Sequence, residues 1–197
     1  MTNIPIKANE DEFFSRVAVS YIDRSIYFFD DVEPASVAEA FKILQILESQ
    51  SEKKPIRFVI NSNGGDVYSG LALFDRIKIS PCKIITVGTG FVASMGLIIF
   101  LAGEERVITP NTVLLNHQNS MSMSGRTADV KIEAKEMTRL ETLTTNLIAS
   151  ITGQPIKQIK EETKSGDFYI TPAQALTGGY AHSMLDYRKP IVKARTK

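Results

Sequence analysis

Ser94 stands in the stretch Gly90-Phe-Val-Ala-Ser94-Met-Gly96, between an apolar run of strand character (Ile84, Ile85, Val87) and one of helix character (Leu97 to Leu101). That order holds a hydroxyl at a tight strand-to-helix turn. Backbone N–H groups and the positive end of a helix dipole lie beside it, where an alkoxide or oxyanion would be stabilised. The stricter nucleophile-elbow pattern carries glycine two residues before the serine, and Val92 stands there instead. Taken alone, such a turn is more often structural than catalytic, so the chemistry has to come from its surroundings.

A serine nucleophile needs a base, and imidazole suits because it titrates near neutrality. The chain has only 2 histidines. His117 follows the apolar run Thr112 to Leu115 and opens the polar segment Gln118-Asn-Ser-Met-Ser-Met-Ser-Gly125, a strand-end position of the kind that carries catalytic groups in α/β folds. His182 falls in a final strand-like stretch near the basic end of the chain and is the weaker candidate. The carboxylate that would orient the imidazole is not singled out by periodicity. Asp66, Asp75, Asp129, Asp167 and Asp186 all fall near loop or helix ends. After the apolar run Ile56 to Ile60, Gly64-Gly65 would let a backbone N–H approach a ligand closely, as an oxyanion hole requires. The N–H of Met95, next after the serine, is the natural second donor.

The elements that must position these groups follow from the pattern. Residues 1 to about 20 read as irregular. A strand is expected over Ser25–Phe29 and a helix over Ala35–Gln50, with Val37, Phe41, Leu44 and Leu47 at helical spacing. Further strands are expected at Ile56–Ile60, Lys83–Val87, Arg106–Thr109 and Val113–Asn116. Helices are expected at Ser69–Ile79, stopped by Pro81, and at Met95–Ala102. A last helix opens at Thr171-Pro172, an N-cap followed by proline, and ends at Gly178-Gly179. The longest helix, Asp129–Thr152, spreads its apolar residues widely around its circumference; it is either buried within the chain or packed against another subunit. Strands alternating with helices indicate an α/β fold with a largely parallel sheet.

Composition narrows the function classes. At 197 residues the chain fits one domain, and Lys+Arg 23 against Asp+Glu 22 argues against a global electrostatic role on nucleic acid or membrane. The exception is a basic C-terminal tail over 187–197, with Arg188, Lys189, Lys193, Arg195 and Lys197, read as solvated. The single cysteine, Cys82, points to a reducing compartment; with no signal-peptide pattern and no apolar run near the roughly 20 residues of a membrane span, a cytoplasmic protein is expected.

In order along the chain, these pieces resemble the Clp protease proteolytic subunit family, self-compartmentalised serine peptidases of crotonase-like fold. Ile60-Asn-Ser-Asn63-Gly64-Gly65 is similar to the family's Ile-Asn-Ser-Pro-Gly-Gly, Ala93-Ser94-Met95-Gly96 to its nucleophile motif, and Asn116-His117-Gln118 to its base motif. Ile148-Ala-Ser-Ile-Thr152-Gly-Gln154 resembles the end of its handle helix, and Phe14-Ser15-Arg16-Val17 its Tyr-Ser-Arg-Leu segment. The likeness spans about residues 13 to 186. It implies an α/β fold of repeated β-β-α units with a protruding long handle helix. It implies Ser94 as nucleophile, His117 as base, Asp167 (with Tyr169 beside it) as orienting acid, and Gly65 and Met95 as the oxyanion hole. It also implies peptide-bond hydrolysis inside a homo-oligomeric ring of one or two layers, polypeptide substrates, a possible AAA+ unfoldase, and no cofactor or metal.

Three positions depart from the family pattern. Asn63 replaces the usual proline of the diglycine turn. Phe168 stands where an arginine commonly helps lock two rings together, and Arg57 and Val59 stand where tyrosines often line the unfoldase-docking pocket. These losses would fit a phage-type relative that processes capsid proteins. Other readings are a non-catalytic ring or scaffold subunit, or crotonase-like acyl-CoA chemistry, which needs an oxyanion hole but no Ser-His-Asp set.

Overall fold

A computed structural model describes residues 17–119 and 124–186. The N-terminal Phe14-Ser15-Arg16 portion of the resemblance and the basic tail over 187–197 lie outside the described residues. The chain runs β1 (Val17–Ser20), β2 (Ser25–Phe28), α1 (Pro34–Gln50), β3 (Ile56–Ser62), α2 (Val67–Lys78), β4 (Ile84–Ala93) and α3 (Met95–Leu101). It continues through β5 (Glu105–Ile108), β6 (Val113–Asn116), α4 (Thr127–Thr152), α5 (Ile156–Glu162), β7 (Phe168–Ile170), α6 (Pro172–Thr177) and β8 (Ser183–Met184). The expected α/β class and largely parallel sheet are what the structure has: β2, β3, β4, β5 and β8 are parallel, with β1 antiparallel at one edge.

The sheet branches, and the branch positions the site. The first half of β4 pairs with β5 (Ile85↔Glu105 to Gly88↔Ile108), while its end pairs with β6 (Phe91↔Val113 to Ala93↔Leu115). Between the halves the carbonyl of Gly88 accepts from Thr109 N–H (3.0 Å) and from the buried Thr112 hydroxyl (2.8 Å), which turns β5 away and feeds β6 in. The β3–β4 register shifts between Ile60 and Ser62, and the side-chain oxygen of Asn61 accepts the Phe91 N–H at 3.1 Å there. A backbone donor that would otherwise lose its ladder partner is thereby satisfied.

Apolar packing holds this frame. Every residue of α3 from Met95 to Leu101 is buried, and the helix packs against α2, β3, β4 and β6. α1 covers β1 and β2 through Val37, Ala40, Leu44 and Leu47. Its C-terminal end is closed by Arg24, whose guanidinium donates to the carbonyls of Leu47 (2.7 Å) and Ser51 (3.0 Å).

One expectation needs correction, and two elements were not foreseen. Val17–Ser20, read as irregular, is an edge strand whose Val17 is buried and whose Val17 N–H donates to Glu39 at 3.1 Å. α5 was not anticipated because one residue of its seven, Ile159, is buried, so it has no apolar stripe to read. β7 is 3 residues long, too short to show a period of two. For α4, burial within the chain is confined to Leu140, Thr144, Thr145 and Ile148; Ile132 in its first half is 68% exposed. This is the protruding handle. Its base is tied to α2 where Tyr68 donates to Glu136 (2.7 Å), itself held by Arg139 (2.7 Å).

Candidate active site

Ser94 closes β4 and opens α3 with φ 54 and ψ −124, a region that a residue with a Cβ occupies only under constraint. The constraint is visible on both sides. Its N–H donates to Leu115 of β6 (3.0 Å), and its carbonyl accepts from Leu97 (3.0 Å) and Ile98 (3.3 Å) of the fully buried helix. Although Ser94 sits at the N-cap position, its hydroxyl does not cap the helix, and it has no hydrogen-bond partner among the described residues. The backbone is fixed while the half-buried oxygen is left available.

The diglycine turn presses against this serine. Gly64 has φ +96 and Gly65 φ +144, both left-handed conformations that favour glycine. Val32 clamps the turn from behind: its N–H donates to Gly64 O and its carbonyl accepts from Asp66 N–H, each at 2.7 Å. Those two bonds flank Gly65 and do not use its N–H. Among the described residues, neither the Gly65 N–H nor the Met95 N–H has a hydrogen-bond partner. Two free donors at a turn packed on a serine suit a developing negative charge.

His117 follows β6 directly, and the strand registers place it. β4 pairs Ala93 with Leu115, so Ser94 lies level with the end of β6. β6 and β7 are antiparallel with Asn116↔Phe168 as the last pair, and one further step puts His117 opposite Asp167. The sheet therefore brings Ser94, His117 and Asp167 to the ends of three neighbouring strands, and such strands run about 5 Å apart. The side chains are not bonded to one another among the described residues: His117 Nδ1 lies 2.6 Å from Gln118 O. A carbonyl can only accept, so Nδ1 is the donor in this contact, and in the neutral ring Nε2 then carries the lone pair. Asp167 is exposed.

The other candidates separate from this cluster. Asp66 is the N-cap of α2, accepting from Ser69 N–H at 2.8 Å, and Asp129 pairs with Arg126 at 2.8 Å on the handle. His182 lies beside β5, where its Nδ1 accepts the Arg106 N–H at 3.1 Å; Arg106 is level with Thr86, at the far end of β4 from Ser94. Cys82 is buried, and its thiol donates to Ser51 O at 3.1 Å. Burial pushes that thiol up from its ordinary value, which keeps it unreactive. Among the described residues no group of His, Cys, Asp and Glu side chains could hold a metal ion.

Sequence reasoning missed the Val32 clamp, the Asn61 bond to Phe91 and a ring stack between Phe91 and Tyr169, 6.4 Å between centroids. Each joins residues far apart in the chain, and no local spacing signals them.

A serine with an unbonded hydroxyl, a histidine and a carboxylate at adjacent strand ends, beside unpaired backbone donors on an α/β scaffold, are groups that acyl-transfer hydrolysis could use. Comparison with known proteins gives the lineage. A family model described as Clp protease matches residues 8–188. The ATP-dependent Clp protease proteolytic subunit 3 of Rhodococcus jostii (strain RHA1) is 32% identical over 142 residues, 71% of this chain and 70% of that protein. The solved structure of a point mutant of ClpP1 from Listeria monocytogenes superimposes with a TM-score of 0.78 at 34% identity, covering 85% of this chain and 94% of that one. The chain belongs to the Clp protease family. It is a serine-type peptidase with that family's crotonase-like architecture.

Proposed function

We propose that Ser94, His117 and Asp167 form the catalytic set of a Clp-type proteolytic subunit, with the Gly65 and Met95 N–H groups as its oxyanion hole. The observation that supports this reading is that β6 pairs Leu115 with Ala93 of β4 and Asn116 with Phe168 of β7, registers that, continued by one residue, would set His117 between Ser94 and Asp167. His117 Nε2 takes the proton of Ser94 Oγ as the oxygen attacks a peptide carbonyl. The two free N–H groups bind the oxyanion, and the imidazolium returns the proton to the departing amine. Water, deprotonated by the same nitrogen, then cleaves the acyl-serine. For this, His117 Nδ1–H exchanges Gln118 O for the Asp167 carboxylate. Bonds of this kind commonly close only with substrate in place.

The subunit acts in a cytoplasmic homo-oligomeric ring on unfolded polypeptides, fed by an AAA+ unfoldase, as the ATP-dependent name of the Rhodococcus relative suggests. No helix among the described residues is long and apolar enough to cross a membrane. The matches to cellular Clp subunits do not favour the capsid-processing or scaffold readings.

A fluorophosphonate probe tests the assignment. Assembled protein should be captured covalently at Ser94, and Ser94→Ala should lose both capture and peptide cleavage while keeping its native mass. No capture in assembled protein, or cleavage by Ser94→Ala at the unmodified rate, would refute it.

A further inference from the structure

Phe91 and Tyr169 stack with 25° between their ring planes, yet they come from strands that do not touch: Phe91 lies on β4, Tyr169 on β7, and β6 runs between them. Alternate residues of a strand share a face. The registers Phe91↔Val113, Ala93↔Leu115 and Leu115↔Tyr169 therefore put both rings on one face of this three-stranded branch, above Leu115. Two residues further along β6 and two back along β7, His117 and Asp167 fall on that same face. Phe168 and Ile170 turn the other way, into a cavity of about 270 Å³ shared with Gln154 and Tyr180.

β7 needs such a tie. It is 3 residues long and pairs only with β6, and Asp167 enters it from a turn, exposed and with no hydrogen bond among the described residues. Pairing to β6 fixes which residue opposes His117, but a short edge strand can still twist away. The ring stack spans β6 and fastens β7 to the strand that ends in Ser94.

We infer that Tyr169, acting through Phe91, is a positioning residue that holds Asp167 opposite His117. The inference rests on the Ser94–His117–Asp167 reading. Tyr169 is also 56% exposed, so a ring contact to substrate is the competing use of the same pair.

Kinetics on the assembled full chain with a small fluorogenic peptide separate these. Phe91→Ala and Tyr169→Ala should each lower kcat about tenfold or more, with KM within about twofold, because misplacing a group that acts in the transition state leaves ground-state binding alone. The double variant should be no worse than either single one, and Tyr169→Phe, which keeps the ring, should restore the rate. In an Asp167→Asn background, read by the rate of fluorophosphonate capture at Ser94, Tyr169→Ala should add no further loss. A raised KM at unchanged kcat, an additive loss on top of Asp167→Asn, or unaltered kinetics would each overturn the inference. Full activity of Asp167→Asn by itself would instead remove the catalytic reading beneath it. Should the alanine variants fail to assemble, Tyr169→Leu and Phe91→Leu keep apolar bulk, remove the stack and carry the same comparison.

Discussion

Gly64 and Ser94 are packed so closely that no side chain fits between them: a Cβ on Gly64 would stand 2.5 Å from Ser94 Cβ and 2.9 Å from Met95 N. The neighbours cannot give way, since Ser94 is bonded on both sides and Met95 begins a buried helix. Gly64→Ala must therefore push the diglycine turn off the serine and carry the Gly65 N–H with it. Loss of one oxyanion donor typically costs about 10²–10³ in kcat, and a drop of that size is expected here. A variant within about threefold of the unmodified kcat would show that this turn does not hold the oxyanion.

Much of the fold was legible because helices such as α1 and α3 carry their own apolar period or run, and the serine turn lies between two such elements. β4 was cut short at Val87 because Gly88-Thr-Gly90 reads as punctuation. The strand continues because it changes partner there, from β5 to β6, and a change of partner leaves no local trace. Spacing alone left the acid open among several aspartates. Asp167 precedes a strand of 3 residues, and only the pairing of Phe168 with Asn116 puts it beside the end of β6. Phe168 packs inward against the core, a contact that its place in the sequence does not signal.

Asp167→Asn should leave the fold and KM nearly unchanged, since Asp167 is exposed and bonds to no described residue, yet lower kcat by about 10⁴. The asparagine amide can donate where the carboxylate accepts, so the ring proton no longer has to sit on Nδ1. Steady-state kinetics alongside thermal unfolding check this. A loss of kcat smaller than about tenfold would move the orienting role away from Asp167.

On the handle, Ile132 is an isoleucine left 68% exposed. In a ring assembly a second copy is the expected cover, and full burial of such a side chain is worth about 1.5–3 kcal/mol. Ile132→Asp should shift the native mass toward smaller species as concentration falls, with the secondary structure of the isolated subunit intact. An unchanged mass at all concentrations would mean that this face is not part of a subunit contact.

Tyr180 gives a pH dependence whose sign is fixed by burial. Tyr180 is 2% exposed, and its hydroxyl has no hydrogen-bond partner among the described residues. Burial pushes the phenol up from 10.0 to about 12, Gln154 opposing the shift and the nearby Glu162 charge adding to it. The folded state therefore keeps this proton after the unfolded chain has released it. The stabilisation is fully present below pH 10 and is lost as pH rises through about 12. Tyr180→Phe should be neutral or stabilising by up to about 1 kcal/mol at neutral pH, because it deletes an unpaired buried hydroxyl. Its advantage over the unmodified protein should grow by on the order of 2 kcal/mol toward the upper end of that window. Urea midpoints of both proteins at about pH 8 and about pH 11.5 measure this. A gap that stays constant between the two would mean that the phenol titrates in the folded protein as it does in water.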